Sequence, residues 1–251
     1  MDSTTHGPLE TIATNANPML HQGYQCIVTC IGSTPPHKGI DMLRDVKYLL
    51  WDVDGTLYKS KPDLLEAIQR EIYVRIATGL SIPYEEARRR FLALYARLGG
   101  ATATAVELGL DRRLVQEAVD SVDKTKYLKP DPRLRDMFEE TLRTFTHMII
   151  TNTSRKGTIR TLEILGLSPN IFQRIVTADD VVQSKPNVEP YMKALDTTGS
   201  AAHQHVSIGD REKVDILPAK KLGMKTILVW GVSEAADVSV PTIYDVPSVL
   251  V

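Results

Sequence analysis

Two carboxylates at the end of an apolar run carry the most chemistry in this sequence. Val46-Lys47-Tyr48-Leu49-Leu50-Trp51 leads directly into Asp52-Val53-Asp54-Gly55-Thr56-Leu57. The run is short, aliphatic and aromatic, and nearly uncharged, as a strand buried on both faces of a parallel sheet should be. Carboxylates at its carboxyl end would enter the crevice where open α/β sheets bind ligands. Asp52 and Asp54 lie two apart, so both can address one small site. Such a pair repels unless a cation or a proton lies between them, and oxygen ligands of this kind suit Mg²⁺. Gly55 permits the tight turn off the sheet. A lone Asp-Gly turn at a strand end is common without any catalytic purpose, but the whole run Asp-x-Asp-Gly-Thr after an apolar strand favours the catalytic reading, and partners downstream would strengthen it.

Three candidate partners follow where later strands should end. Thr151 closes the run Thr146–Thr151, and its hydroxyl with the Asn152 backbone N–H could hold a phosphate oxygen. Thr153 or Ser154 could equally be a helix N-cap. Lys185 sits in Gln183-Ser184-Lys185-Pro186-Asn187, a loop that would give a positioned positive charge. Gly209-Asp210-Arg211-Glu212-Lys213-Val214-Asp215 follows a fourth strand. There Asp210 occupies the place that Asp52 has on the first, and Asp215 lies near the next helix start. Carboxylates on strand ends, with phosphate oxygens and waters, complete the shell that Mg²⁺ requires. Asp215 could also be no more than an acidic residue at a helix start.

The elements that must position these residues read as α/β. From Arg133 the pattern alternates: helix 134–143, strand 146–151, helix 156–165 closed by Gly166, strand 174–177, helix 189–195, strand 205–209, helix 216–222 capped by Gly223, strand 225–230. Alternation of this kind builds a parallel sheet through βαβ crossovers. Between the first strand and this series, residues 63–124 are helical. Leu64, Leu65, Ile68, Ile72 and Ile76 recur at spacings of three and four, Pro83 with Glu85 and Glu86 opens a second helix, and Gly99-Gly100 breaks it. Two shorter helical pieces, 102–108 and 113–122, follow. Arg88-Arg89-Arg90 reads as a solvated helix face. Tyr58–Pro62 and Tyr127–Pro132 read as linkers, the prolines restricting where the chain can bend. The expected architecture is therefore a Rossmann-like parallel-sheet core over 42–61 and 128–251, with an inserted all-helical cap over 62–127.

Residues 1–41 differ in composition and are expected to be disordered or loosely packed, and dispensable, with organised chain beginning at Met42. They carry neither the basic-then-apolar pattern of a secretory signal nor the arginines of a transit peptide. The chain has 251 residues, a net charge of -1 and two cysteines, Cys26 and Cys30. That charge gives no argument for nucleic acid or an anionic membrane, no apolar run is long enough to span a bilayer, and a cytoplasmic setting is expected.

Asp52-x-Asp54-Gly55-Thr56, Thr151-Asn152, Lys185-Pro186 and Gly209-Asp210-x4-Asp215 resemble the four ordered motifs of haloacid dehalogenase (HAD) superfamily phosphatases. The helical block resembles the cap inserted after the first motif. The stretch Tyr95 to Gly99-Gly100, Pro130-Asp131-Pro132 and Leu162–Leu167 are similar to a branch that includes pyrimidine 5′-nucleotidases, a branch that often has Asn where this chain has Gly55. The resemblance implies a Mg²⁺-dependent phosphomonoesterase acting on a small phosphorylated metabolite: a nucleoside monophosphate, a sugar phosphate or a phosphoglycolate-like compound. It further implies that Asp52 is the nucleophile, that Asp54 is the acid/base, and that Thr151 and Lys185 stabilise the transferring group. The metal would be held by the side chains of Asp52 and Asp210 and the Asp54 carbonyl, with Asp215 nearby. A phosphomutase of the same superfamily and a non-catalytic phosphate-binding protein are the alternatives.

Overall fold

The computed structural model describes residues 43–250, so the expectations for residues 1–41 lie outside the described residues. Six parallel strands form one sheet in the order β3-β2-β1-β4-β5-β6. They are β1 (Tyr48–Trp51), β2 (Thr146–Ile150), β3 (Phe172–Val176), β4 (His205–Gly209), β5 (Lys225–Val229) and β6 (Val238–Val240). The helices are α1 (Pro62–Leu80), α2 (Tyr84–Leu98), α3 (Ala101–Glu107), α4 (Leu114–Ser121), α5 (Pro132–Thr141), α6 (Arg155–Leu165), α7 (Glu189–Thr198) and α8 (Leu217–Lys221). None of them is long and apolar enough to cross a membrane.

The two-residue side-chain period of a strand divides the core. Leu49, Trp51, Ile149, Val206, Ile208, Ile227 and Val229 pack with Leu134, Met137 and Phe138 of α5 and Leu162 and Leu165 of α6. Leu50, Met148, Ile150 and Val176 pack on the other side with Tyr191 and Ala194 of α7 and Ala219 of α8. Both faces of the sheet are thus covered, which is why the strands read as continuous apolar runs.

Helices α1–α4 form the insertion between β1 and α5. Its own apolar residues, Ile72, Tyr73, Ile76, Ala87, Phe91, Ala105 and Ala118, are buried, and Tyr73 meets Phe91 edge-on at 5.4 Å. Leu64 at the start of α1 and Val122 after α4 join the core of the sheet.

Three details differ from expectation. Pro132 begins α5 instead of ending the linker, because Asp131 caps the helix by accepting from the backbone N–H groups of Arg133 and Leu134, and proline suits the first helical position. The helix expected over 216–222 is split into a π-helical turn, Glu212–Ile216, and α8. Strand β6 has only three residues, too few to show a period.

Candidate active site

With all strands parallel, their carboxyl ends share one edge of the sheet, and β1 is flanked there by β2 and β4. Chain order reverses between β1 and β4, the switch point at which such sheets open a crevice. The backbone N–H of Asp52 donates to the Ile208 carbonyl at 2.9 Å, and that of Thr151 to the Val176 carbonyl at 3.0 Å. These bonds carry the strand pairing one residue beyond each strand and hold both residues at the crevice.

Asp52 is buried, and its Oδ1 accepts from Lys185 Nζ at 2.7 Å. The same ammonium donates to Asp215 Oδ1 at 2.7 Å. Lys185 is only 4% exposed, an unusual place for a lysine that the two carboxylates make tolerable. Burial alone would lower its pKa, but the charges of Asp215 and Asp52 outweigh this and raise it. For Asp52 the balance falls the other way: burial raises its pKa, Lys185 opposes, Asp215 adds to the rise, and the net shift is upward. The π turn sets Asp215 in place. Its Oδ2 accepts from the Arg211 N–H at 3.1 Å, and its carbonyl accepts from Ser207 Oγ and Tyr191 Oη.

Thr56 Oγ1 reaches Asp52 Oδ2 at 3.0 Å and Asp210 Oδ1 at 3.3 Å, joining the first and fourth strand ends. Gly55 between them has φ +95°, and a Cβ there would lie 2.6 Å from Asp210 Oδ2. Only glycine meets both conditions. Trp230, just past β5, has φ 64°, rare for a bulky side chain, and its indole N–H donates to the Thr56 carbonyl at 3.0 Å.

Asp54 has a different environment. Its Oδ1 accepts from Lys124 Nζ at 2.7 Å and Tyr58 Oη at 2.5 Å, and its Oδ2 accepts from Thr153 Oγ1 at 2.5 Å. Burial pushes its pKa up, but the Lys124 charge and the three donors prevail and bring it down to about 2. Two aspartates two residues apart are therefore biased in opposite directions.

Carboxylate oxygens of Asp52, Asp210 and Asp215 lie within 4.8 Å of one another, a donor set that could hold a metal ion. Burial, with the charges of Asp52 and Asp215, pushes Asp210 up to about 7 against the pull of Arg211 and Lys185. Three hard oxygen donors converging with surplus negative charge fit Mg²⁺. The Asp54 carboxylate is not part of this group; its expected contribution is through its backbone carbonyl.

The model of the family described as haloacid dehalogenase-like hydrolase matches residues 49–229. The chain belongs to this family. Among curated relatives, the glyceraldehyde 3-phosphate phosphatase of Methanocaldococcus jannaschii is 28% identical over 195 residues, covering 73% of this chain and 85% of that protein. The pyrophosphatase PpaX of Halalkalibacterium halodurans is 34% identical over 195 residues, covering 74% and 84%. The solved structure of a HAD phosphatase from Thermococcus onnurineus superposes with a TM-score of 0.61 at 21% identity, covering 82% of this chain and 98% of that one. The superfamily resemblance and the Rossmann-like fold expected of this HAD-like chain are both borne out.

The expected residues thus fall into two groups: Asp52, Lys185, Asp210 and Asp215 around one centre, and Asp54 beside it. Thr151 Oγ1 accepts from the Thr153 N–H at 3.2 Å. The Asn152 side chain donates to the Lys185 carbonyl at 2.8 Å, holding the lysine's loop to the sheet edge. Ser154 is the N-cap of α6, which leaves the Thr153 hydroxyl for Asp54. Tyr58, Thr153 and Lys124 were not distinguishable from linker, cap and surface residues in the sequence. Tyr58 alone left a trace, as an aromatic residue four positions after Asp54.

Proposed function

We propose that this HAD-like hydrolase is a Mg²⁺-dependent phosphomonoesterase that works through an aspartyl-phosphate on Asp52, in a cytoplasmic setting. The observation that carries the reading is the separation of two aspartates, one among carboxylates and Lys185, the other among proton donors. Asp52, Asp210 and Asp215, with the Asp54 carbonyl, would hold the metal. When bound, Mg²⁺ would offset the charge of phosphate oxygens and carboxylates and so permit an anionic nucleophile to approach an anionic ester.

Asp52 attacks phosphorus in line, and the ester oxygen departs with a proton from Asp54. Asp54, now ionised, takes a proton from water as that water attacks the aspartyl-phosphate, releasing phosphate and restoring Asp52. Lys185 and the Thr151 hydroxyl stabilise charge on the transferring group. Residues 62–127 act as a cap over a core made of 42–61 and 128–251, and the cap selects the substrate. Relatives named for glyceraldehyde 3-phosphate and pyrophosphate support a small phosphorylated compound as the substrate.

A phosphate-release screen with Mg²⁺ over glyceraldehyde 3-phosphate, phosphoglycolate, pyrophosphate, sugar phosphates and nucleoside monophosphates tests the reading. Turnover of at least one compound is expected, with Asp52→Asn lowering it by about 1,000-fold or more. Normal turnover by Asp52→Asn would remove the nucleophile assignment, and turnover only with a bisphosphate activator would indicate a mutase instead.

A further inference from the structure

We infer that Lys124 is a positioning residue for Asp54, and that it makes the acid/base group sensitive to where the inserted helices sit. The inference rests on the proposed acid/base role of Asp54. Lys124 opens the 3-10 turn Lys124–Lys126 between α4 and α5. It is 5% exposed, and its Nζ lies 2.7 Å from Asp54 Oδ1 and 3.1 Å from Thr161 Oγ1 on α6. The Thr161 hydroxyl gives its own proton to the Gly157 carbonyl at 2.8 Å, so its oxygen is free to accept from the lysine. Burying a long cationic side chain costs rotamer entropy and hydration. Two hydroxyl donors, from Tyr58 and Thr153, already hold the Asp54 carboxylate. The lysine adds what they cannot, a full charge and a tether to a different part of the chain.

That tether joins the two crossings between sheet and insertion. Asp54 precedes the first crossing and Lys124 precedes the second. The crossings are also linked by Lys61 Nζ, which donates to the Tyr127 carbonyl at 2.9 Å. A displacement of the insertion that carries the second crossing with it therefore draws Lys124 from Asp54. Such a carboxylate keeps its hydroxyl donors and loses its third contact, the one that fixes it relative to the inserted helices.

General-acid assistance matters most for poor leaving groups, which gives a readout that a purely structural lysine would not move. Wild type, Asp54→Asn, Lys124→Met, Lys124→Arg and Thr161→Val are compared on p-nitrophenyl phosphate and on phenyl phosphate, whose phenol leaves less readily. For Lys124→Met we expect kcat on phenyl phosphate to fall about 30-fold or more and kcat on p-nitrophenyl phosphate by less than about threefold, with KM nearly constant. Lys124→Arg should recover most of the loss. Thr161→Val should show the same selectivity at roughly threefold, and it carries the test should Lys124→Met fail to fold. Equal losses on both substrates, or a change in KM alone, overturn the proposal if Asp54→Asn still discriminates between them. If Asp54→Asn does not discriminate, the acid/base reading itself falls and this inference falls with it.

Discussion

Replacing Lys185 with methionine removes one ammonium from between two buried carboxylates. Its Nζ is 2.7 Å from Asp52 and 2.7 Å from Asp215, with all three side chains no more than 3% exposed. Breaking a buried pair by deleting one partner costs about 3–5 kcal/mol. Here one deletion strands two carboxylates, so the cost is at least of that order, against a net stability of about 5–15 kcal/mol for a domain. At pH 8 without Mg²⁺, Lys185→Met should therefore lose about 3–5 kcal/mol, or roughly 6–20 °C in Tm at 2–4 °C per kcal/mol for a chain of this size. The deficit should depend on pH with a definite sign. Burial already holds Asp52 above its ordinary value, and Lys185 partly offsets that rise, so the variant's Asp52 pKa climbs further. A carboxyl whose folded pKa exceeds its unfolded one destabilises the fold progressively as pH rises from the unfolded to the folded value. The deficit is thus smaller at pH 5 than at pH 8, and Mg²⁺ should narrow it at pH 8 by returning positive charge to the cluster. Urea titrations followed by tryptophan fluorescence at both pH values, with and without Mg²⁺, measure all of this. A deficit under about 1 kcal/mol at pH 8 without Mg²⁺, or one no smaller at pH 5, would refute the reasoning.

Two further outcomes are expected. Asp210, held up to about 7 by burial and by Asp52 and Asp215, must shed its proton to bind a cation. The apparent Mg²⁺ affinity of the wild type should then fall about tenfold per pH unit below 7 and level off above it. Calorimetric titrations from pH 5.5 to 8.5 would show this, and a flat profile contradicts it. Gly55→Ala puts a methyl 2.6 Å from Asp210 Oδ2 at a φ of +95°. It should cost about 1–3 kcal/mol of stability and lower kcat by roughly 100-fold through the displaced carboxylate. Phosphate release within threefold of wild type would show that Asp210 has room to move.

Most of the sheet was legible because its strands are buried on both faces and the helices between them are amphipathic. The strand over 205–209 has its expected ends, and Gly166 closes α6 in the left-handed conformation. What was not legible has local causes. Strand β6 is a three-residue edge strand. The π turn before α8 sets Asp215 in place, where its carboxylate meets Lys185 from 30 residues away, and no local propensity encodes that contact. The centre formed by Asp52, Lys185, Asp210 and Asp215 could be anticipated because Asp52 and Asp210 directly follow strands, Asp215 comes five residues after Asp210, and Lys185 sits in a proline-marked loop. The donors around Asp54 could not. Lys124 is 70 residues from Asp54 in sequence, and its burial depends on how the insertion returns to the sheet.

The opposite biases of Asp52 and Asp54 run against their proposed tasks: a nucleophile is wanted ionised and an acid protonated, yet Asp52 is raised and Asp54 is lowered to about 2. The charges of the reactants resolve this. A divalent cation held among Asp52, Asp210 and Asp215 would favour the ionised form of all three. A phosphoryl dianion beside Asp54 opposes the Lys124 charge and favours the protonated carboxyl. Under the proposed mechanism, metal and substrate together would therefore oppose both biases and shift each aspartate toward the state that its step requires. The second half-reaction needs Asp54 ionised again, and Lys124, with Tyr58 and Thr153, favours that form once the ester oxygen has taken the proton. Placing the pair two residues apart, with Gly55 sending the chain off the sheet, puts one aspartate in reach of the cation and the other in reach of the inserted helices. In the proposed mechanism the same spacing would let a single turn of backbone serve both halves of the reaction.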